Sequence, residues 1–158
     1  MQADRPREFS TIKVLLCRTR ESADLPLPQY ATNGSAGVDL RACIPQPVSL
    51  PPGGRALVGT GVSIALPEGV EAQIRPRSGL AAEHGVTLLN SPGTVDSDYR
   101  GEIRLVVINL GQAPYTIRRG DRIGQMVVAP VSRIDWEEVE RLPDSSRSAG
   151  GFGHTGKN

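Results

Sequence analysis

Two carboxylates, Asp96 and Asp98, flank Ser97 in the turn-rich run Asn90-Ser91-Pro92-Gly93-Thr94-Val95-Asp96-Ser97-Asp98-Tyr99-Arg100-Gly101, and an aromatic follows the first of them three residues on. A carboxylate can polarise a water, and an amide such as that of Asn90 can read a base edge. The same residue types also build plain hairpin turns. Asp96 is the better base of the two; Asp98 is placed to cap a turn or stay solvated.

A second candidate is Arg75-Pro76-Arg77-Ser78-Gly79-Leu80, where a strand runs into a short helix. Ser and Gly in a first helical turn leave backbone N–H groups for an anion, and Arg77 adds a bidentate donor. The alternative is a capped turn with a surface arginine. Asp39, in Ala36-Gly37-Val38-Asp39-Leu40, is a carboxylate in an apolar strand and by default a surface or structural residue. Gln125, in Arg122-Ile123-Gly124-Gln125-Met126, is an amide in an apolar run and needs a partner, which a ligand phosphate or a backbone group would supply.

The last segment, from Asp144 to Asn158, is rich in Gly and Ser and reads by composition as a flexible tail. Phe152 stands alone there among glycines, with Arg147 before it and Thr155 and Lys157 after it. Glycines let successive N–H groups converge on a phosphate, and a lone aromatic can stack on a base. That combination predicts an arm, residues 144–158, that closes on a nucleotide.

Several chemistries are disfavoured. His84 and His154 have no matching nucleophile and no metal-ligand spacing. Cys17 and Cys43 are too few and too far apart for a disulfide framework or a zinc cage, and read as two small buried hydrophobes in a reducing compartment. A net charge of +1 with dispersed basic residues gives no footprint for direct nucleic-acid binding, although a small anion remains compatible with so many arginines. No apolar run approaches a membrane span and no signal segment is evident, so a cytoplasmic location is expected.

The elements that must position these groups are short. Thirteen prolines and eighteen glycines interrupt almost every window in which an ordinary helix could form. Between them lie β-branched stretches over 12–17, 38–41, 56–58, 62–66, 70–75, 86–89, 103–109 and 123–131. One helical turn is expected over 78–84, capped by Ser78 and stopped by Gly85. The pattern predicts one all-β domain over residues 1–143, a sandwich or barrel with one short helix, followed by the arm. Ile103, Leu105 and Val107 alternate with Val106 and Ile108, so that strand is apolar on both faces and calls for cover by a partner chain.

Five segments, in order, resemble the motifs of the trimeric dUTPase family: 36–40, 76–80, 93–101, 120–125 and 147–156. The resemblance implies a jelly-roll homotrimer with sites where subunits meet, and Mg²⁺-dependent hydrolysis of dUTP to dUMP and pyrophosphate, which keeps dUTP low and supplies dUMP for thymidylate synthesis. By that resemblance Asp96 activates the attacking water and Tyr99 packs on the deoxyribose. Asn90 and the backbone of Gly93, Thr94 and Val95 form the uracil-reading hairpin. Arg77, Ser78, Gly79 and Gln125 bind phosphates. Arg147, Phe152, Gly153 and Thr155 act from the arm, and Asp39 reaches the metal through water.

The tail departs from the commoner pattern at Ser148, where Gly is usual, and at His154, where Ser is frequent. The dCTP deaminases share the fold and the third motif but place a proton-transferring Glu where this chain has Val106, which can carry no proton. A non-catalytic nucleotide sensor would keep the scaffold without the chemistry; Asp96, Tyr99 and the arm are all present.

Overall fold

The computed structural model describes residues 11–150. Strands β1 (Leu15–Arg18), β4 (Arg55–Ala65), β8 (Glu102–Asn109) and β6 (Val86–Leu88) form one antiparallel sheet in the order β1-β4-β8-β6. A second sheet takes β2 (Val38–Arg41), β10 (Arg122–Pro130), β5 (Val70–Arg75) and β7 (Gly93–Val95) in the order β2-β10-β5-β7. A ribbon of β3 (Val48–Leu50) and β9 (Tyr115–Ile117) completes an all-β sandwich.

The core lies between the two larger sheets, and its residues follow the period-two alternation of their strands. Ile103, Leu105 and Val107 point inward from β8, meeting Val58 of β4 and Leu40 of β2, all nearly or wholly buried. Each such side chain contributes about 1.5–3 kcal/mol of burial free energy. The outer face of β8 is different. Ile108 is buried and Val106 half-buried there, but Leu57, the cross-strand partner of Val106 on β4, is 60% exposed, so this apolar face is only partly covered within one chain.

The helix α1 (Ser78–His84) spans the expected residues, but Ser78 does not cap it. Arg77 occupies the cap position in extended backbone and makes no side-chain capping bond, so the serine is already helical. Gly85 ends the helix at φ 68, where its N–H reaches Ala81 O. A Cβ at Gly85 would stand 2.6 Å from the Gly111 backbone, so glycine is needed there for space as well as for φ.

Three short strands were not expected from the sequence, β3, β7 and β9, each bordered by proline or glycine. The stretches 56–58 and 62–66 are one strand, β4, carried through Gly59 and Gly61 by a bulge between Gly59 and Ser63. A 3-10 turn at Arg20–Ser22 follows β1 and is tied to the β9–β10 connection by Arg119, which donates to Asp24 and to the Glu21 carbonyl. That guanidinium holds the Asp24 carboxyl below its usual range. Cys43 is half-buried, but Cys17 is exposed on β1, contrary to its expected burial; both are free thiols. Among the described residues no helix is long and apolar enough to cross a membrane.

Candidate active site

β7 is the edge of its sheet, paired only with β5 through Ala72↔Val95, Gln73↔Thr94 and Ile74↔Gly93. Asp96 is the first residue beyond that pairing, so the sheet fixes where its backbone leaves. The Tyr99 N–H then bonds to Asp96 O at 3.2 Å, closing a turn. Arg100 Nη1 reinforces the turn by donating to Ser97 O at 2.7 Å and Tyr99 O at 2.9 Å. The exposed Asp96 carboxylate accepts no hydrogen bond from the described residues and is open to water.

The Tyr99 hydroxyl donates to Glu102 O at 3.1 Å. Its ring lies over Gly101, where a Cβ would fall 2.3 Å from the phenol oxygen. Across the turn, the Asn90 amide nitrogen sits 3.2 Å from the Cβ position of Gly93, with the cis peptide Ser91–Pro92 between them. Asn90, Gly93, Thr94, Val95, Asp96 and Tyr99 line one cleft of about 330 Å³ with an apolar wall from Ile74, Leu88 and Leu105. The sequence-predicted water, sugar and base groups therefore share a single recess. Leu57, Glu102 and Arg104 line it too; strand periodicity gave no reason to single them out.

A second cleft, of about 290 Å³, gathers Gly37, Asp39, Arg77, Ser78, Gly79 and Gln125, with Arg122 added. The register explains it: Gln125 on β10 lies between Asp39 on β2 and Arg75 on β5 in one cross-strand row, and Arg77 follows two residues later. Asp39 is clamped from both sides, by Arg77 Nε on Oδ1 and Arg122 Nη1 on Oδ2, each at 3.0 Å. Gln125 Nε2 donates to Pro76 O at 3.0 Å, so a backbone carbonyl is the partner its setting demanded. Its Oε1 lies 2.9 Å from the Cβ position of Gly37, which leaves room for the amide only because residue 37 is glycine. The first-turn N–H groups of Ser78 and Gly79 have no acceptor within the helix. Two guanidiniums against one carboxylate, with those N–H groups beside them, leave the cleft with a net positive lining, which suits an anion.

No three His, Cys, Asp or Glu side chains converge on a metal position among the described residues. Asp39 is the one carboxylate of the second cleft. Both of its oxygens are taken by guanidiniums, so a hard ion such as Mg²⁺ would draw its ligands there mainly from waters and a bound polyphosphate, with Asp39 reached through water.

Arg147 sits in a turn closed by Gly150 N–H on Arg147 O at 3.0 Å, and its Nε donates to Gly150 O at 2.8 Å. Ser148 has φ 46, in the left-handed region. Phe152, Gly153, His154 and Thr155 lie outside the described residues.

The chain is thus an all-β protein, an antiparallel sandwich with a cationic cleft beside its short helix and an acid–aromatic recess at its sheet edge. The family model named dUTPase matches residues 23–156, and the chain belongs to that family. It is 55% identical to the deoxyuridine 5'-triphosphate nucleotidohydrolase of Anaplasma marginale, covering 92% of this chain and 99% of the relative. It is 54% identical to the protein of that name from Maricaulis maris, covering 94% and 99%. Its fold matches a variant dUTPase of Staphylococcus bacteriophage 80alpha solved with dUpNHpp, with TM-score 0.81, 21% identity and coverage of 92% and 99%. A dUTPase variant of phage phi11 of S. aureus, described with a structural Mg(II) ion, matches with TM-score 0.73, 19% identity and coverage of 84% and 99%.

Proposed function

We propose that this chain hydrolyses dUTP to dUMP and pyrophosphate, with Asp96 accepting the proton of the water that attacks the α-phosphorus. The observation that carries this reading is the recess that Asn90, Asp96 and Tyr99 line together, which supports their roles as base reader, proton acceptor and sugar wall respectively. The activity is that of the named relatives.

In this reading the uracil lies against the Gly93-Thr94-Val95 backbone and Asn90, whose narrow hairpin leaves no space for a thymine methyl. Tyr99 packs on the deoxyribose and excludes a 2′-hydroxyl. Arg77, Ser78, Gly79 and Gln125 take the phosphates. As the new P–O bond forms and the water's proton passes to Asp96, pyrophosphate leaves with the electrons of the broken α–β bridge. Mg²⁺, carried in with the triphosphate and steadied through water by Asp39, would neutralise charge on that leaving group.

Arg147, Phe152, Gly153 and Thr155 then close the site from the arm, residues 144–158 acting as a unit separate from the 1–143 domain. The two clefts share no lining residue, which supports sites completed between subunits of a homotrimer. The exposed Leu57 beside Val106 supports the same partner. Supply of dUMP for thymidylate synthesis, in the cytoplasm, follows as the physiological role.

One assay separates this from its rivals. Incubation with dUTP and with dCTP should release pyrophosphate from the first and no ammonia from the second. Ammonia release would mark a deaminase, for which Val106 offers no proton-transfer group, and binding without turnover would mark a sensor.

A further inference from the structure

We infer that Glu102 is a positioning residue for the Tyr99 sugar wall, acting by fastening the start of β8 to the bulge in β4; the inference rests on the sugar-gate reading of Tyr99. Glu102 is the first residue of β8, and its backbone oxygen is the acceptor of the Tyr99 hydroxyl. Wherever that carbonyl moves, the phenol loses or keeps its anchor.

The Glu102 side chain fixes the carbonyl. Its Oε1 accepts the Gly61 N–H at 2.8 Å, and its Oε2 accepts from Arg104 Nε at 2.9 Å. Gly61 lies inside the bulge, with φ 67, where the β4–β8 register shifts between Gly59 and Ser63. An N–H within a bulge lacks its regular ladder acceptor, and the carboxylate takes that role. The fit depends on Gly59: a Cβ there would lie 2.6 Å from Glu102 Oε1. Glu102 and Arg104 both line the Asn90–Asp96–Tyr99 recess, so this fastening forms part of its wall. A charged acceptor bonded to a backbone N–H and a guanidinium holds more firmly than a neutral pair.

From the other side, Gly101 leaves room for the hydroxyl end of the Tyr99 ring against the chain immediately before Glu102. The ring is therefore held by the Glu102 carbonyl at its tip and by the missing side chain at 101 beneath it. Loosening the carbonyl frees the ring to yield to a 2′-hydroxyl.

The test is the ratio of kcat/KM for dUTP to that for UTP in the full-length protein. An unfolded fraction lowers both rates equally, so the ratio reports the gate and not stability. Glu102→Ala should lower the ratio at least tenfold, whereas Glu102→Gln, which keeps an oxygen for the Gly61 N–H, should stay within threefold of the parent. Gly59→Ala, which leaves Glu102 in the chain but displaces its carboxylate, should lower the ratio in the same direction and stands in if Glu102→Ala does not fold. Tyr99→Ala is measured alongside. A lowered ratio in Tyr99→Ala with an unchanged ratio in Glu102→Ala or Gly59→Ala overturns the role of Glu102 alone. An unchanged ratio in Tyr99→Ala removes the sugar gate, and the role of Glu102 falls with it.

Discussion

Arg77 donates from Nε to Asp39 Oδ1 at 3.0 Å, joining residues 38 positions apart in sequence. Arg122 takes the other oxygen of the same carboxylate, and Arg77 Nη1 donates in turn to Arg122 O at 3.3 Å. Asp39 thus serves as counterion to two cations in the anion cleft. A polyphosphate entering that cleft competes with it for both guanidiniums, and a carboxylate released from them is free to turn toward a metal's water shell.

Asp39→Asn should separate those two roles. With the counterion gone, inorganic pyrophosphate in the absence of metal should bind several-fold more tightly, measured calorimetrically in chelator. The Mg²⁺ concentration for half-maximal dUTP turnover should rise. The ion pairs are partly exposed, so the folded state should lose only about 1 kcal/mol or less. Weaker metal-free pyrophosphate binding in the variant would count against the counterion role.

Asp96→Asn keeps the shape of the side chain but removes the proton acceptor. We expect kcat to fall by about 10²–10⁴, the usual worth of a positioned general base. Affinity for an α,β-imido analogue of dUTP should stay within about threefold, a change of under 1 kcal/mol. Rapid-quench turnover and equilibrium binding together check this; turnover at the parent rate would sink the assignment.

How much of this was legible in the sequence depends on whether a feature is local. β2, β5 and α1 have the expected bounds because each is a run of consistent propensity bounded by a breaker. β7 was hidden because Gly93-Thr94-Val95 follows Pro92 and has turn-like composition; its pairing with Ala72–Ile74 is a tertiary fact. β4 reads as two strands because Gly59 and Gly61 look like breakers, whereas the bulge and the Glu102 carboxylate carry the strand through them. Asn90, Asp96 and Tyr99 of one cleft and Asp39, Arg77 and Gln125 of the other were singled out by motif, but Leu57, Glu102 and Arg104 were not, nor was the double clamp on Asp39, since Arg122 lies 83 residues from it. Ser78 was misassigned as a cap for a simpler reason: Arg77, one residue earlier, already has the extended backbone of a cap.

Gly101→Ala tests the seat of the aromatic wall. The new methyl would fall 2.3 Å from Tyr99 Oη and 2.6 Å from Cζ, so the ring must leave its place. The Tyr99–Glu102 hydrogen bond should break, and discrimination between dUTP and UTP should fall by about tenfold, or about 1.4 kcal/mol. The hairpin fold should persist, because the sheet pairing of β7 ends before the substitution. Comparing kcat/KM for the two nucleotides, with circular dichroism as the fold control, decides it.

Ser148 bears on whether the arm closes by ordering its backbone. It stands where the family usually has glycine, and it occupies φ 46, a conformation costing a non-glycine residue roughly 1–2 kcal/mol. Part of that cost is offset by Ser148 N–H bonds to Ser145 O at 3.1 Å and Oγ at 3.0 Å. If the free arm samples other conformations and the closed arm selects this turn, the cost of the left-handed residue is drawn from substrate binding. Ser148→Val, with a β-branched side chain that tolerates the region least, should then raise KM for dUTP above the parent's. Ser148→Gly should give a KM equal to or below the parent's. Ending the chain at Ser146 provides the limit: the melting temperature should stay close to the parent's, and kcat/KM should drop by at least about a hundredfold, or ~2.8 kcal/mol. A truncated protein as active as the parent would show that closure from the arm plays no part, and equal KM values across Gly, Ser and Val would show that the turn at 148 is not the closed conformation.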